Sequence, residues 1–170
     1  KKNTGDNGRF KRQIVVDDDR LPWASPTDGE TASLAMLPPG GQLFMIARPS
    51  RLLDSPYGPQ VLRAFGPALA RSQSDLEAAC GFSMDQVDEL AMSVLDNGEA
   101  FPRAAFRIKL QTPHTREAIL AKWGNPSPTK HENGAYYLSK GWAYYLPGEG
   151  EVTTFAMGYE ADIKDVVEFK

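Results

Sequence analysis

The chain has 170 residues, of which 41% are hydrophobic and 24% charged, a size and composition that fit one ordinary domain with a substantial core. Its 19 Lys and Arg against 22 Asp and Glu give a net charge of -3, so we expect no nucleic-acid partner, since such binders need a basic surface. The single cysteine, Cys80, excludes an internal disulfide and any metal site built from several cysteines, and we expect no cofactor.

Residues 1–36 are predicted to form an extended lead-in, because they are rich in Gly, Asp, Asn, Pro, Ser and Thr. Trp23 is the exception, and we expect it to pack back onto the domain that follows. Residues 37–170 are predicted to form a single α+β domain. The chain begins KKNTGDNG without an initiator methionine, so we interpret it as a fragment of a longer polypeptide.

The first predicted elements are a strand and a long helix. Leu43–Ala47 is continuously apolar, which is typical of a strand buried on both faces. Ser55 followed by Pro56 predicts a helix start, and an apolar stripe then continues to Ala79, with a kink or a break at Gly66-Pro67. We expect Arg48 and Arg51, where the strand meets the helix, to be structural and to pair with Asp54 or with helix carbonyls.

Two strands are predicted next. Glu89–Leu95 reads as the first of them, and a short turn separates it from Arg103–Leu110, its expected antiparallel neighbour. In the second strand, apolar and basic residues alternate, so we expect Phe106 and Ile108 to be buried and Arg107 to be exposed.

The remaining pattern predicts a helix over 113–123, a turn at NPSPTK, three strands at 135–139, 142–146 and 152–157, and a last helix that opens near Glu160. This order predicts a ferredoxin-like (split βαβ) core with extra antiparallel strands. The helices would pack mainly on one face of the sheet and leave the other face partly open.

No catalytic motif is present in the sequence. It contains no GxxxxGK, GxSxG or HExxH, and its only histidines are His114 and His131. A dyad of His131 with a carboxylate such as Glu132 would make a hydrolase, but nothing supplies a nucleophile or a third ligand. We therefore predict a protein that is not an enzyme and that binds no metal.

The aromatic stretch AYYLSKGWAYYL, residues 135–146, is the candidate binding site. A turn at Lys140-Gly141 would place Tyr137 opposite Tyr144, and Tyr136 opposite Tyr145, on the two faces of a hairpin. One face would be core and the other would expose aromatic rings beside a basic row. The predicted site for a protein or small-molecule ligand consists of Tyr137, Trp142, Tyr144, Arg103, Arg107 and Lys109. The alternatives are burial under the lead-in, a homodimer through the open sheet face, or aromatic pairs that only stabilise the hairpin.

A resemblance extends over residues 37–168. The stretch LPPGGQLFMIARPSRLLDSPYGPQVLRAFGPAL, followed by DQVDEL, FRIKL and GAYYL, resembles units found in uncharacterised bacterial cell-envelope proteins. The resemblance implies a chain that is exported or tethered behind a membrane anchor, sometimes with a Ser/Thr kinase-like domain in the same polypeptide. It implies no catalytic or binding residues.

Three functions follow from these observations as hypotheses. The first is a non-catalytic binding or structural module of a larger bacterial envelope-associated protein, soluble as a fragment and extracytoplasmic or membrane-associated through its parent chain. The second is an extracytoplasmic ligand-sensing domain of a membrane-spanning signalling protein. The third is a hydrolase.

Overall fold

The computed structural model describes residues 33–96, 98 and 102–169, and residues 33–170 group into one compact unit. Trp23 and most of the predicted lead-in lie outside the described residues. The fold is α+β, as predicted, with four helices and seven strands. In chain order these are β1 (Leu43–Ala47), α1 (Pro49–Asp54), α2 (Gly58–Cys80), β2 (Val87–Leu95), β3 (Arg103–Thr115), α3 (Arg116–Lys122), β4 (Pro128–His131), β5 (Gly134–Ser139), β6 (Trp142–Tyr145), β7 (Glu151–Gly158) and α4 (Glu160–Glu168).

All seven strands form one antiparallel sheet in the order β1-β2-β3-β7-β6-β5-β4. The predicted antiparallel pairing of β2 with β3 is confirmed. The ferredoxin-like core is not confirmed, because in the described sheet β1 lies at the edge, beside β2, whereas a split βαβ core places its first strand inside the sheet.

The sheet has a hydrophobic cluster on each face. One cluster joins Ile108, Phe155 and Tyr144 to the end of α2 at Cys80 and to Ile119 of α3. The two helical regions that we expected to share a face therefore do so. The other cluster packs β5, β6 and β7 against the buried face of α4, which consists of Ile163, Val166 and Val167.

Several local signals are confirmed at residue level. Gly81 ends α2 in the left-handed conformation with φ 82°, which glycine adopts without steric cost. Gly66, with φ 73°, interrupts α2 at the predicted kink. Ser83 and Gln86 form the predicted capping box around a single 3-10 turn.

Several boundaries differ from the prediction. The helix start predicted at Ser55-Pro56 is wrong, because Ser55 is the C-cap of α1, a helix that was not predicted, and α2 begins at Gly58. The α3 helix begins at Arg116, because Thr115 is its N-cap and accepts a hydrogen bond from the Ala118 amide at 3.2 Å. The Thr112-Pro113 pair instead extends β3. The stretch predicted as a turn contains the first three residues of β4, a strand that is too short and too polar to show an apolar alternation.

The first strand differs most from its expected environment. The prediction that β1 is buried on both faces is wrong, since Leu43, Phe44, Met45 and Ile46 are 53%, 41%, 54% and 41% exposed. Farther along the chain, Tyr57 and Phe65 are also exposed, Phe65 to 66%. None of the helices in the described residues combines the length and apolar character needed to cross a bilayer.

Ile108 is fully buried, as predicted, whereas Phe106 is only partly buried. We predict that Ile108→Ala lowers the free energy of unfolding by about 2–5 kcal/mol, because it removes buried methyl groups and leaves a cavity. Leu138→Ala is the matched control, since Leu138 is 43% exposed on β5 and its truncation should change stability by less than about 1 kcal/mol. Urea unfolding measures both, and equal costs would contradict the assigned core.

Candidate functional site

The predicted aromatic hairpin is formed by β5 and β6. Tyr137 pairs with Tyr144 and Ser139 with Trp142, in the predicted register. The connecting residues, Lys140 and Gly141, have φ values of 51° and 84°, as the tight turns of two-residue hairpins require.

Both faces of this hairpin are covered. Tyr137 and Tyr144 belong to the cluster under α2 and α3, while Tyr136 and Tyr145 belong to the cluster under α4. All four tyrosines are buried, and Trp142 is partly buried. The expectation that one tyrosine pair would be exposed is therefore corrected, because helices cover the sheet on both sides of these strands.

The tyrosine hydroxyls on the face covered by α2 and α3 are hydrogen-bonded to other elements. The Tyr144 ring stacks on Trp123 with centroids 4.1 Å apart, and its hydroxyl donates to the carbonyl of Ala79 at 2.8 Å. Burial raises the pKa of Tyr144 to about 12. On the same face, the Tyr137 hydroxyl accepts a hydrogen bond from Arg116 at 2.8 Å.

Tyr136, on the face covered by α4, is hydrogen-bonded to that helix. Its hydroxyl donates to the carboxylate of Glu160 at 2.7 Å, and Lys164 forms an ion pair with the same carboxylate at 2.9 Å. Burial, followed by the hydrogen bond to Glu160, raises the pKa of Tyr136. The hydroxyl thus anchors α4 to the sheet, and these contacts give the tyrosines structural roles.

The basic residues of the predicted site lie on the face opposite to Tyr137, Trp142 and Tyr144. Phe106 pairs with Met157, and Met157 pairs with Tyr144, so these side chains share one face of the sheet. Arg107 pairs with Ala156 and therefore points to the other face. The fold does not bring the six predicted residues together at one surface.

Each of the three basic residues has an acidic partner. Arg103 contacts Asp162 at 3.0 Å, Lys109 contacts Asp88 at 3.3 Å, and Arg107 forms a buried ion pair with Glu89. The expectation that Arg107 is exposed is wrong, since the residue is buried. The alternation of apolar and basic residues correctly placed Arg107 on the face opposite Ile108. It did not indicate that this opposite face is buried.

Arg48, the N-cap of α1, and Arg51, within α1, contribute through their backbone. The Arg48 carbonyl accepts a hydrogen bond from the Leu52 amide at 3.0 Å, and the Arg51 carbonyl accepts one from Ser55 at 3.1 Å. Within the described part of the chain, neither side chain forms the predicted ion pair with Asp54. They cannot be assigned to a binding site on these contacts.

The two histidines lie in different elements. His114 is in β3, where its ring contacts Phe82 with centroids 5.2 Å apart, and His131 ends β4. Across the described ranges, no group of three His, Cys, Asp or Glu side chains is arranged to hold a metal ion. That the protein is not an enzyme stays a prediction.

One open cleft of about 600 Å³ lies beside α3 and the loop before β7. Its lining includes Arg116, Glu117, Tyr145 and Glu149. The Arg116 guanidinium is already bound, since it donates to the Gly148 carbonyl at 2.6 Å as well as to Tyr137. The cleft therefore offers no unpartnered cation for a ligand.

The surface that the sequence analysis missed is β1. Its five residues, LFMIA, carry no charge, and its outer edge pairs with no other strand of the described sheet. The opposite edge, β4, contains Pro128, Lys130 and His131. The signal was present as an apolar run, but a run of this kind predicts burial and does not reveal a position at the edge of a sheet.

We predict that Tyr144→Phe lowers the free energy of unfolding by about 1 kcal/mol at neutral pH, because it removes the hydrogen bond to Ala79. The pKa of Tyr144 rises from 10.0 to about 12 on folding, so its neutral phenol stabilises the fold below pH 10 and this contribution is lost towards pH 12. The variant should therefore lose less stability than the wild type between these pH values. An unchanged alkaline profile, measured by urea unfolding, would contradict this role.

A further prediction concerns the buried ion pair. Arg107→Met should destabilise the fold by about 3–5 kcal/mol, because it leaves Glu89 charged, buried and without its partner. The double variant Glu89→Leu, Arg107→Met should recover most of that loss. Chemical denaturation of the two single variants and the double variant measures the coupling, and strictly additive costs would contradict it.

The comparisons with known proteins give no relative for this arrangement. No family model matches the chain, and no curated protein and no solved structure matches it.

Proposed function

We propose that the domain is a non-catalytic interaction module that accepts an extended segment of a partner at the outer edge of β1. A single observation carries the proposal. The edge strand Leu43–Ala47 is apolar and uncharged, and Leu43 to Ile46 are exposed on both faces of the sheet.

An exposed edge strand is a template for another strand. Its outward N–H and C=O groups have no ladder partner within the described sheet, and an added strand would satisfy them while its side chains contact those of β1. On one face, the added strand would meet Leu43 and Met45, and on the other it would meet Phe44 and Ile46. Main-chain hydrogen bonds would supply affinity, and these four side chains would favour an apolar segment.

The exposed apolar residues are concentrated in one part of the chain. Of the ten large apolar side chains that are exposed among residues 33–96, 98 and 102–169, six lie between positions 43 and 65: Leu43, Phe44, Met45, Ile46, Tyr57 and Phe65. The first four of these residues are consecutive in β1, and contiguous apolar exposure marks an interaction surface more often than isolated exposed side chains do.

The proposed context is a larger bacterial envelope-associated protein, and it rests on the resemblance of residues 37–168 alone. The alternative, an extracytoplasmic sensing domain, would use the cleft beside Arg116. The hydrogen bonds that already occupy Arg116 make that site the weaker candidate.

The test is fluorescence anisotropy with a labelled peptide of residues 42–48, QLFMIAR, at nanomolar concentration. We predict saturable binding to the 170-residue chain with a Kd in about the micromolar range. The same peptide N-methylated at alternate residues is the control, since it keeps the side chains but lacks the N–H groups that bind a strand edge.

A pair of protein variants locates the binding. Met45→Lys, in β1, should abolish it, whereas Leu138→Lys replaces another exposed apolar residue, on β5, and should leave it unchanged. Equal binding of the N-methylated peptide, or loss of binding in both variants, would contradict strand addition at β1.

A further inference from the structure

We propose that the occupant of the β1 edge is β1 of a second copy of this chain, so that two sheets join into one about a two-fold axis. The inference rests on the proposed function, since it names the partner of the same edge. The joined sheet would have fourteen strands, twice the seven of one chain. Such an interface is isologous, with the same strand contributed by both copies.

The sequence of β1 is compatible with itself when it is reversed. In an antiparallel pair centred on Met45, Leu43 lies opposite the partner's Ala47, and Phe44 opposite the partner's Ile46. Every pair within the strand is apolar. Beyond it, Arg48 faces Gln42 of the partner subunit, so that no like charges are brought together.

The residues of β4, at the other edge of the sheet, explain why the assembly would stop at two copies. Pairing of β1 with β4 of another copy would repeat without end and produce fibres. The β4 strand begins with Pro128, which has no N–H to donate, and it carries Lys130 and His131. Proline and charged side chains are the usual protection of an edge against pairing. The self-pairing edge is therefore limited to β1, and the product is a dimer.

The apolar area exposed on β1 sets the expected affinity of the dimer. The exposed parts of Leu43, Phe44, Met45 and Ile46 amount to on the order of 400 Å² per chain, about half of the ~800 Å² per partner in a standard interface. An interface of this size belongs to the weak class. We therefore expect a dimer that dissociates in the micromolar range.

Sedimentation velocity of the 170-residue chain tests the assembly from about 1 to about 500 µM, a range that brackets a weak dimer. The expected result is a monomer–dimer equilibrium whose Kd rises at least about tenfold in Met45→Lys, since the two lysines would meet at the axis. Leu138→Lys should keep the wild-type Kd. A chain that stays monomeric throughout, or an equal loss in both variants, overturns the proposal.

A cysteine pair tests the register. In the proposed pairing, Met45 lies opposite the partner's Met45, with Cα atoms about 4.5–5.5 Å apart, within the range that a disulfide spans. Met45→Cys should therefore cross-link under mild oxidation. Leu43→Cys is the matched control, because its Cα would lie about 14 Å from that of the partner's Leu43 and should not cross-link. The native Cys80 does not compete, since it is fully buried.

The outcomes separate this inference from the function on which it rests. If the chain is monomeric and yet binds the 42–48 peptide, the edge accepts an added strand but does not join two copies, and the dimer is wrong. If it neither dimerises nor binds the peptide, both proposals fail. If it dimerises but Leu43→Cys cross-links as well as Met45→Cys does, the proposed register is wrong, and with it the pairing argument.

Discussion

The stack of Trp123 on Tyr144 is the interaction on which the rest of the domain depends. Its rings lie 4.1 Å apart, and each ring also hydrogen-bonds to the end of α2, Trp123 to the Cys80 carbonyl and Tyr144 to that of Ala79. The carbonyls at a helix end lack partners within the helix, so these bonds satisfy groups that would otherwise be buried without one. One aromatic pair thus joins α2, α3 and the sheet.

This arrangement decides which surfaces remain available for binding. The hairpin that supplies Tyr144 is buried on one face by α2 and α3 and on the other by α4, to which Tyr136 is bound through Glu160. Its aromatic rings therefore pack within the fold and stabilise it. A run of four exposed apolar residues lies at the far edge of the sheet, where β1 has one neighbouring strand among the described residues.

Much of the local structure could be predicted because its causes are local. The end of α2 at Gly81, the capping box at Ser83 and the turn at Lys140-Gly141 each depend on a few adjacent residues. Strand order depends on contacts between distant residues, so the ferredoxin-like expectation was not confirmed, although the antiparallel sheet was. The short, polar β4 carried no periodic signal at all.

The candidate site was less predictable for the same reason. Alternation correctly grouped Tyr137 with Tyr144, but it could not show that the register places Arg107 on the opposite face. An apolar strand reads the same in sequence whether it is central or at an edge. The position of β1 in the sheet, and so its exposure, follows only from the complete strand order.

Hydrogen–deuterium exchange of β1, measured at several protein concentrations, tests the central claim most directly. A strand edge that pairs with a second copy should show exchange at 43–47 that slows as concentration rises, because pairing shields its outward amides. The exchange of β3, an interior strand, should not change over the same range. Exchange in β1 that is rapid and independent of concentration would contradict the account.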